Sequence, residues 1–96
     1  MPLTVLNALA EPTRLAAVRI LSDGSEHCVC QLMQRLGATQ SRMSRHMQIL
    51  RAAGLVRDRR DAQWTRYRLD ADMPPATRAI LDAVLSAASD EERNAA

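Results

Sequence analysis

Ninety-six residues make one small domain that buries only a modest share of its unfolded surface, so size alone favours a core shared with a second copy. Apolar residues are 47% of the chain, yet Phe is absent and only Trp64 and Tyr67 are aromatic, which points to an aliphatic, Met-containing, helical core and excludes any run of the roughly eighteen apolar residues that span a membrane. The net charge of +2 hides a segregation, because Arg35 to Arg68 holds nine arginines against Asp58 and Asp61, a local +7, while the remainder has four arginines and nine acids, a balance of −5.

Leu3, Leu6 and Leu9 stand at helical spacing and predict a first helix within residues 1–10, ended at Glu11-Pro12, with Pro12 suited to the first turn of the next helix. The second runs through Leu15, Val18, Ile20 and Leu21 to Asp23-Gly24. A third is expected over 25–36, starting near Ser25 or Glu26, buried along Val29, Leu32, Met33 and Leu36, and stopped by Gly37. Thr39 offers the N-cap of a fourth over 39–53, with Met43, His46, Met47 and Leu50 inward and Gly54 at its end. The short turn "GAT" between the two makes them a helix-turn-helix. Residues 55–69 change period: β-compatible runs at 55–60 and 64–69 flank Asp61-Ala62-Gln63, a hairpin that would turn Thr65, Tyr67 and Leu69 to the body and Trp64, Arg66 and Arg68 away. Pro74-Pro75 precedes a last helix at 75–89, and the terminal "SDEERNAA" is expected to fray.

The fold class expected is therefore mainly α with a small β-hairpin, a single winged helix-turn-helix domain over 1–96. The last helix carries Thr77, Ile80, Leu81, Val84, Leu85 and Ala88 on one wide apolar face, which suits a subunit contact or, alternatively, packing within the monomer. A homodimer through 1–10 and 75–89 would use Leu3, Leu6, Ile80, Leu81, Val84 and Leu85.

Every basic residue is arginine, whose planar fork suits phosphates and guanine edges, and their clustering in a folded, periodic stretch points to nucleic acid. At 100° per residue the inward stripe of the fourth helix leaves Ser41, Ser44, Arg45 and Gln48 on the opposite face, with Gln40 on one shoulder. Arg45 suits guanine O6 and N7, a glutamine suits adenine, and serine serves a base or a phosphate. Arg42 is a phosphate contact, and His46 is a half-buried packing histidine. On the wing, Arg59, Arg60 and Arg66 would follow the DNA backbone, adding affinity and salt sensitivity without sequence information.

Both cysteines lie in "EHCVCQL", residues 26–32. With no charged-then-apolar leader the chain reads as cytoplasmic, where thiols stay free or bind metal, and a bridge between i and i+2 is strained. Within the expected third helix Cys28 and Cys30 stand 200° apart, on opposite shoulders of the stripe near Val29, too far for both sulfurs to approach one soft ion to about 2.3 Å, the distance known for zinc. Chelation would then unwind the first turn of the third helix, shift the recognition helix and weaken DNA binding.

Four segments, "ALAEPTRL" at 8–15, "CVCQL" at 28–32, "SRHMQILRAAGLV" at 44–56 and "RYRL" at 66–69, together resemble the ArsR/SmtB family of bacterial metal-responsive repressors, specifically its arsenic-type members. The resemblance implies a repressor that binds an imperfectly palindromic operator as a homodimer, with half-sites about 10 to 10.5 bp apart or a multiple of that. It also implies an inducer, arsenite or antimonite, taken by Cys28 and Cys30, and no constitutive cofactor. Soft thiolates suit such ions. Arsenic-type members often carry a third cysteine where this chain has Met33, and the family's other metal site, on the last helix, needs histidines that do not occur after His46. The alternatives are the same repressor responding to zinc or cadmium with help from His27, the same fold as a thiol redox or persulfide sensor, or a cysteine-dependent enzyme or soft-metal carrier. The last two have no use for the arginine-rich segment and no marked pocket.

Overall fold

The corner between the first two helices shows how local chemistry sets the architecture. Glu11 sits in extended backbone, φ −150° and ψ 131°, and its carboxylate accepts from the N–H groups of Thr13 at 3.0 Å and Arg14 at 2.9 Å. It thereby caps a helix that Pro12 opens without losing a hydrogen bond. Partial burial pushes the Glu11 carboxyl up, but those two N–H bonds and the charges of His46 and Arg14 outweigh it and hold the group below the ordinary 4.5. Arg14 reaches back to the last carbonyls of the preceding helix, donating to Ala8 O at 2.7 Å and Asn7 O at 3.2 Å, and its Nη1 lies 3.2 Å from His46 Nδ1. One arginine thus ties three helices together, and His46 is the half-buried packing histidine expected.

The computed structural model describes residues 2–95; Met1 and Ala96, the ends of the 1–96 domain, lie outside the described residues. In chain order the elements are α1 (Pro2–Leu9), α2 (Pro12–Leu21), β1 (His27–Cys28), α3 (Val29–Leu36), α4 (Gln40–Ala52), β2 (Val56–Asp61), β3 (Trp64–Leu69) and α5 (Pro75–Ala95). The strands form an antiparallel sheet in the order β1-β3-β2. Thr39 caps α4 by accepting from the Arg42 N–H at 3.3 Å, and Gly37 ends α3 at φ 65°, a left-handed position that favours glycine. The core is aliphatic and sulfur-rich: Val18, Leu21, Leu32, Met43, Met47, Leu50, Leu55 and Leu81 are fully buried.

On α1, Val5, Ala8 and Leu9 point inward while Leu3 is 71% and Leu6 45% exposed. Four expectations need correction. Leu81 is fully buried in the chain's own core, so it is no subunit contact. Trp64 does not point away from the body but packs its indole against the core cluster, since apolar ring surface gains more there than in water. The hairpin turn is the two residues Ala62-Gln63, with Ala62 at φ 56°, because Asp61 already pairs with Trp64. Of the stretch expected to fray, residues 89–95 continue α5, which is held to α2 where Arg19 Nη1 meets Glu92 Oε1 at 2.7 Å, and Ala96 lies outside the described residues.

Candidate nucleic-acid interface and thiol site

α3 and α4, joined through Gly37-Ala38-Thr39, are the helix-turn-helix. Burial of Met43, Met47 and Leu50 leaves Gln40, Ser41, Arg42, Arg45 and Gln48 exposed on α4, with Ser44 half-buried between them. The wing behind is fixed by salt bridges of its own. Arg51 on α4 meets Asp58 on β2 at 3.1 Å, and Arg57 meets Asp70 at 3.0 Å and Asp72 at 3.3 Å.

The three wing arginines expected on DNA are not equivalent. Arg66 donates to Asp61 at 2.7 Å, and Arg59 donates to both carboxylate oxygens of Glu26, at 2.8 and 2.9 Å. Those bonds hold the carboxyls of Asp61 and Glu26 below their ordinary values. Among the described residues, Arg60 enters no ion pair, and neither do Arg42, Arg45 and Arg68. Arg42 and Arg45 on the helix and Arg60 on the wing are therefore the expected DNA contacts whose charge no acid of the described residues neutralises. Glu26 carried no site assignment from the sequence, where it was read only as a possible start of the third helix and as the first residue of the cysteine segment.

The thiol site differs most from expectation. α3 does not begin at residue 25 or 26 but at Val29, because His27 and Cys28 are drawn into the sheet as β1, His27 opposite Tyr67 and Cys28 opposite Arg66. Cys28 has extended backbone, φ −67° and ψ 143°, and is the N-cap of α3: its Sγ accepts from the Cys30 N–H at 3.3 Å. Gln31 completes the cap by accepting from the Cys28 N–H at 2.9 Å. One extended residue removes the 200° splay, so the sulfurs of Cys28 and Cys30 meet as a disulfide pair with their Cα atoms 5.2 Å apart. The expected incompatibility between helix and chelation, and the unwinding it required, are overturned. Cys28 is buried and Cys30 half-buried.

Around the pair, Met33 packs against the core, as its place on the α3 stripe implies. His27 Nε2 lies 2.9 Å from Asp23 Oδ2 and 3.2 Å from Ser25 Oγ, and bonds from Ser25 and then His27 keep the Asp23 carboxyl below its ordinary value. Among the described residues no three His, Cys, Asp or Glu side chains converge on one metal position. No helix is long and apolar enough to cross a membrane.

With this geometry in hand, likeness to known proteins is informative. Residues 5–58 match the model of a bacterial regulatory protein family, the arsR family. The chain is 39% identical over 82 residues to the arsenical resistance operon repressor of Escherichia coli strain K12, covering 85% of this chain and 70% of that protein. HlyU from Vibrio cholerae N16961 superposes with a TM-score of 0.72 at 32% identity, over 86% of each chain. The homodimeric winged helix-turn-helix DNA-binding domain of Mb0332 from Mycobacterium bovis superposes with a TM-score of 0.73 over 95% of this chain and 81% of that one; at 24% identity it speaks to the fold alone.

Proposed function

Since this chain belongs to the arsR family of bacterial regulatory proteins, whose fold is that of DNA-binding transcriptional regulators and not of enzymes, we propose that it is a cytoplasmic repressor whose operator binding is relieved by trivalent arsenic or antimony at Cys28 and Cys30. The observation that carries this reading is the meeting of two soft sulfurs at the N-terminus of α3, one connection away from an α4 face of unpaired arginine, glutamine and serine. The donor set fits a thiophilic metalloid: the reduced pair offers two thiolates, and Met33, a thioether turned to the core, adds none. Each thiol gives its proton to a hydroxide that leaves arsenous acid as water, so two S–H and two As–O bonds break, two As–S bonds form, and the third position keeps oxygen.

The consequence for DNA follows from where Cys28 sits in the fold. Its Sγ caps α3, the helix that supports α4, and its backbone pairs with β3 of the wing. A sulfur shared with a metalloid is a poorer acceptor for the Cys30 N–H, and a lost N-cap costs about 1 kcal/mol, within a range of roughly 0.5–2. That is comparable to a typical allosteric coupling of about 1–3 kcal/mol.

A symmetric homodimer on an imperfect palindrome completes the reading. Leu3 and Leu6 are exposed on α1, and Ile80, Val84 and Leu85 are only half-buried on α5. The accessible surface of 6045 Å² exceeds the roughly 5,500 Å² expected of a monomer this size, as suits a chain with a face left to cover.

A second reading rests on the same sulfurs: a pair that meets as a disulfide also suits a redox sensor. Fluorescence titration of a fragment of the gene's own upstream DNA separates the two. Under excess reductant, arsenite should weaken binding about 5- to 150-fold. Release by peroxide alone, with no response to arsenite, would establish the redox reading instead.

A further inference from the structure

We infer that Glu26 couples the thiol site to the wing, so that a guest on Cys28 and Cys30 acts on operator DNA through Arg59 as well as through α3 and α4. The inference rests on the inducer reading above and adds a route to it. Cys28, Arg66 and Arg59 lie in one row across the three strands, since Cys28 pairs with Arg66 and Arg66 with Arg59. Directly opposed residues of antiparallel strands share a face, so the row aligns the thiol site with the charged side of the wing. Glu26, immediately before β1, reaches over the central strand to the far one and holds the Arg59 guanidinium with two hydrogen bonds, 2.8 and 2.9 Å. The segment carrying Cys28 is therefore strapped to both other strands, by its ladder to β3 and by this ion pair to β2.

The strap differs from an ordinary surface salt bridge in what it joins. β1 has two residues and little ladder to hold it, which makes it the part of the sheet most easily displaced. Whatever moves Cys28 moves Glu26 two residues away, and Arg59 with it. Arg59 stands next to Arg60, a wing arginine that no acid of the described residues neutralises, on the same six-residue strand. Fork-to-fork geometry passes on orientation where a single point contact would not. The pair is also exposed enough, at 32% and 56% of the two side chains, that removing it leaves the fold standing.

The test uses the full-length reduced protein and compares wild type with Glu26→Gln, Arg59→Gln and the double variant. Operator affinity is measured with and without saturating arsenite, and arsenite stoichiometry is measured by titration calorimetry. Glu26→Gln should bind arsenite with wild-type stoichiometry and hold operator at least as tightly as wild type, because an acid has left the DNA side. Its arsenite-induced loss of affinity should shrink to less than about half the wild-type loss on a logarithmic scale, from a typical 5- to 150-fold. The double variant should respond no less than Arg59→Gln alone, since the strap is already gone. Full wild-type release by Glu26→Gln overturns the coupling while leaving the inducer reading intact. A reduced wild type that stays on its operator in arsenite overturns both.

Discussion

Replacing both thiols, Cys28→Ser with Cys30→Ser, leaves operator binding near that of wild type and abolishes the response to arsenite. DNA binding survives because serine is a preferred N-cap, so its hydroxyl takes over the bond that Cys28 Sγ accepts from the Cys30 N–H, and α3 keeps its start. The inducer response disappears because an alcohol is a hard, protonated oxygen that offers a thiophilic ion no soft ligand. The wild-type change of about 5- to 150-fold should collapse to none, read by fluorescence anisotropy on labelled operator. Loss of DNA binding in the unliganded double variant would make the sulfurs structural, with Cys28 serving α3 and not an inducer.

Arg45→Ala and Arg60→Ala should both weaken the operator complex but in different ways. Arg45 stands exposed on α4 without an acidic partner, and the proposal gives it a guanine edge to grip. Its loss should cost about 1–3 kcal/mol, roughly 5- to 150-fold in affinity, and relax the preference at one base pair in each half-site. Arg60 has the same unspent charge on the wing, where the proposal gives it only phosphate to meet. Its loss should weaken all sequences alike and reduce the steepness of log affinity against log salt by about 0.9 per lost contact. Operator variants scanned at two salt concentrations distinguish the outcomes, and a uniform effect for Arg45 would remove it from base readout.

Much of this was legible in the residues. Proline at the start of α2, Thr39 before α4, Gly37 after α3 and the 3.6-residue stripe of Met43, Met47 and Leu50 are local signals, and the structure follows them because each acts within one turn of helix. The polar face of α4 followed from the stripe opposite. What could not be read was set by partners distant in sequence. Cys28 is extended because β3, nearly forty residues later, offers it a ladder, and a two-residue strand has no period of its own. Trp64 and Leu81 were misplaced for a related reason: an alternating or helical pattern gives a face, but which face meets the core depends on the elements packed on it. The Glu26–Arg59 strap joins residues thirty-three apart, and neither carries a local sign of the other. The site residues were therefore legible one by one, while the geometry that makes the cysteines a pair belongs to the sheet.

Everything proposed about function reduces to one linkage: the sulfurs and the operator compete through the conformation of a single chain. The most direct measurement is the arsenite affinity of the reduced wild-type protein, taken alone and then saturated with its operator. Thermodynamic reciprocity requires the operator to weaken arsenite binding by the same factor by which arsenite weakens operator binding, about 5- to 150-fold for a typical coupling. Arsenite that binds equally tightly on and off DNA would contradict the linkage, and with it the assignment of Cys28 and Cys30 as the inducer site.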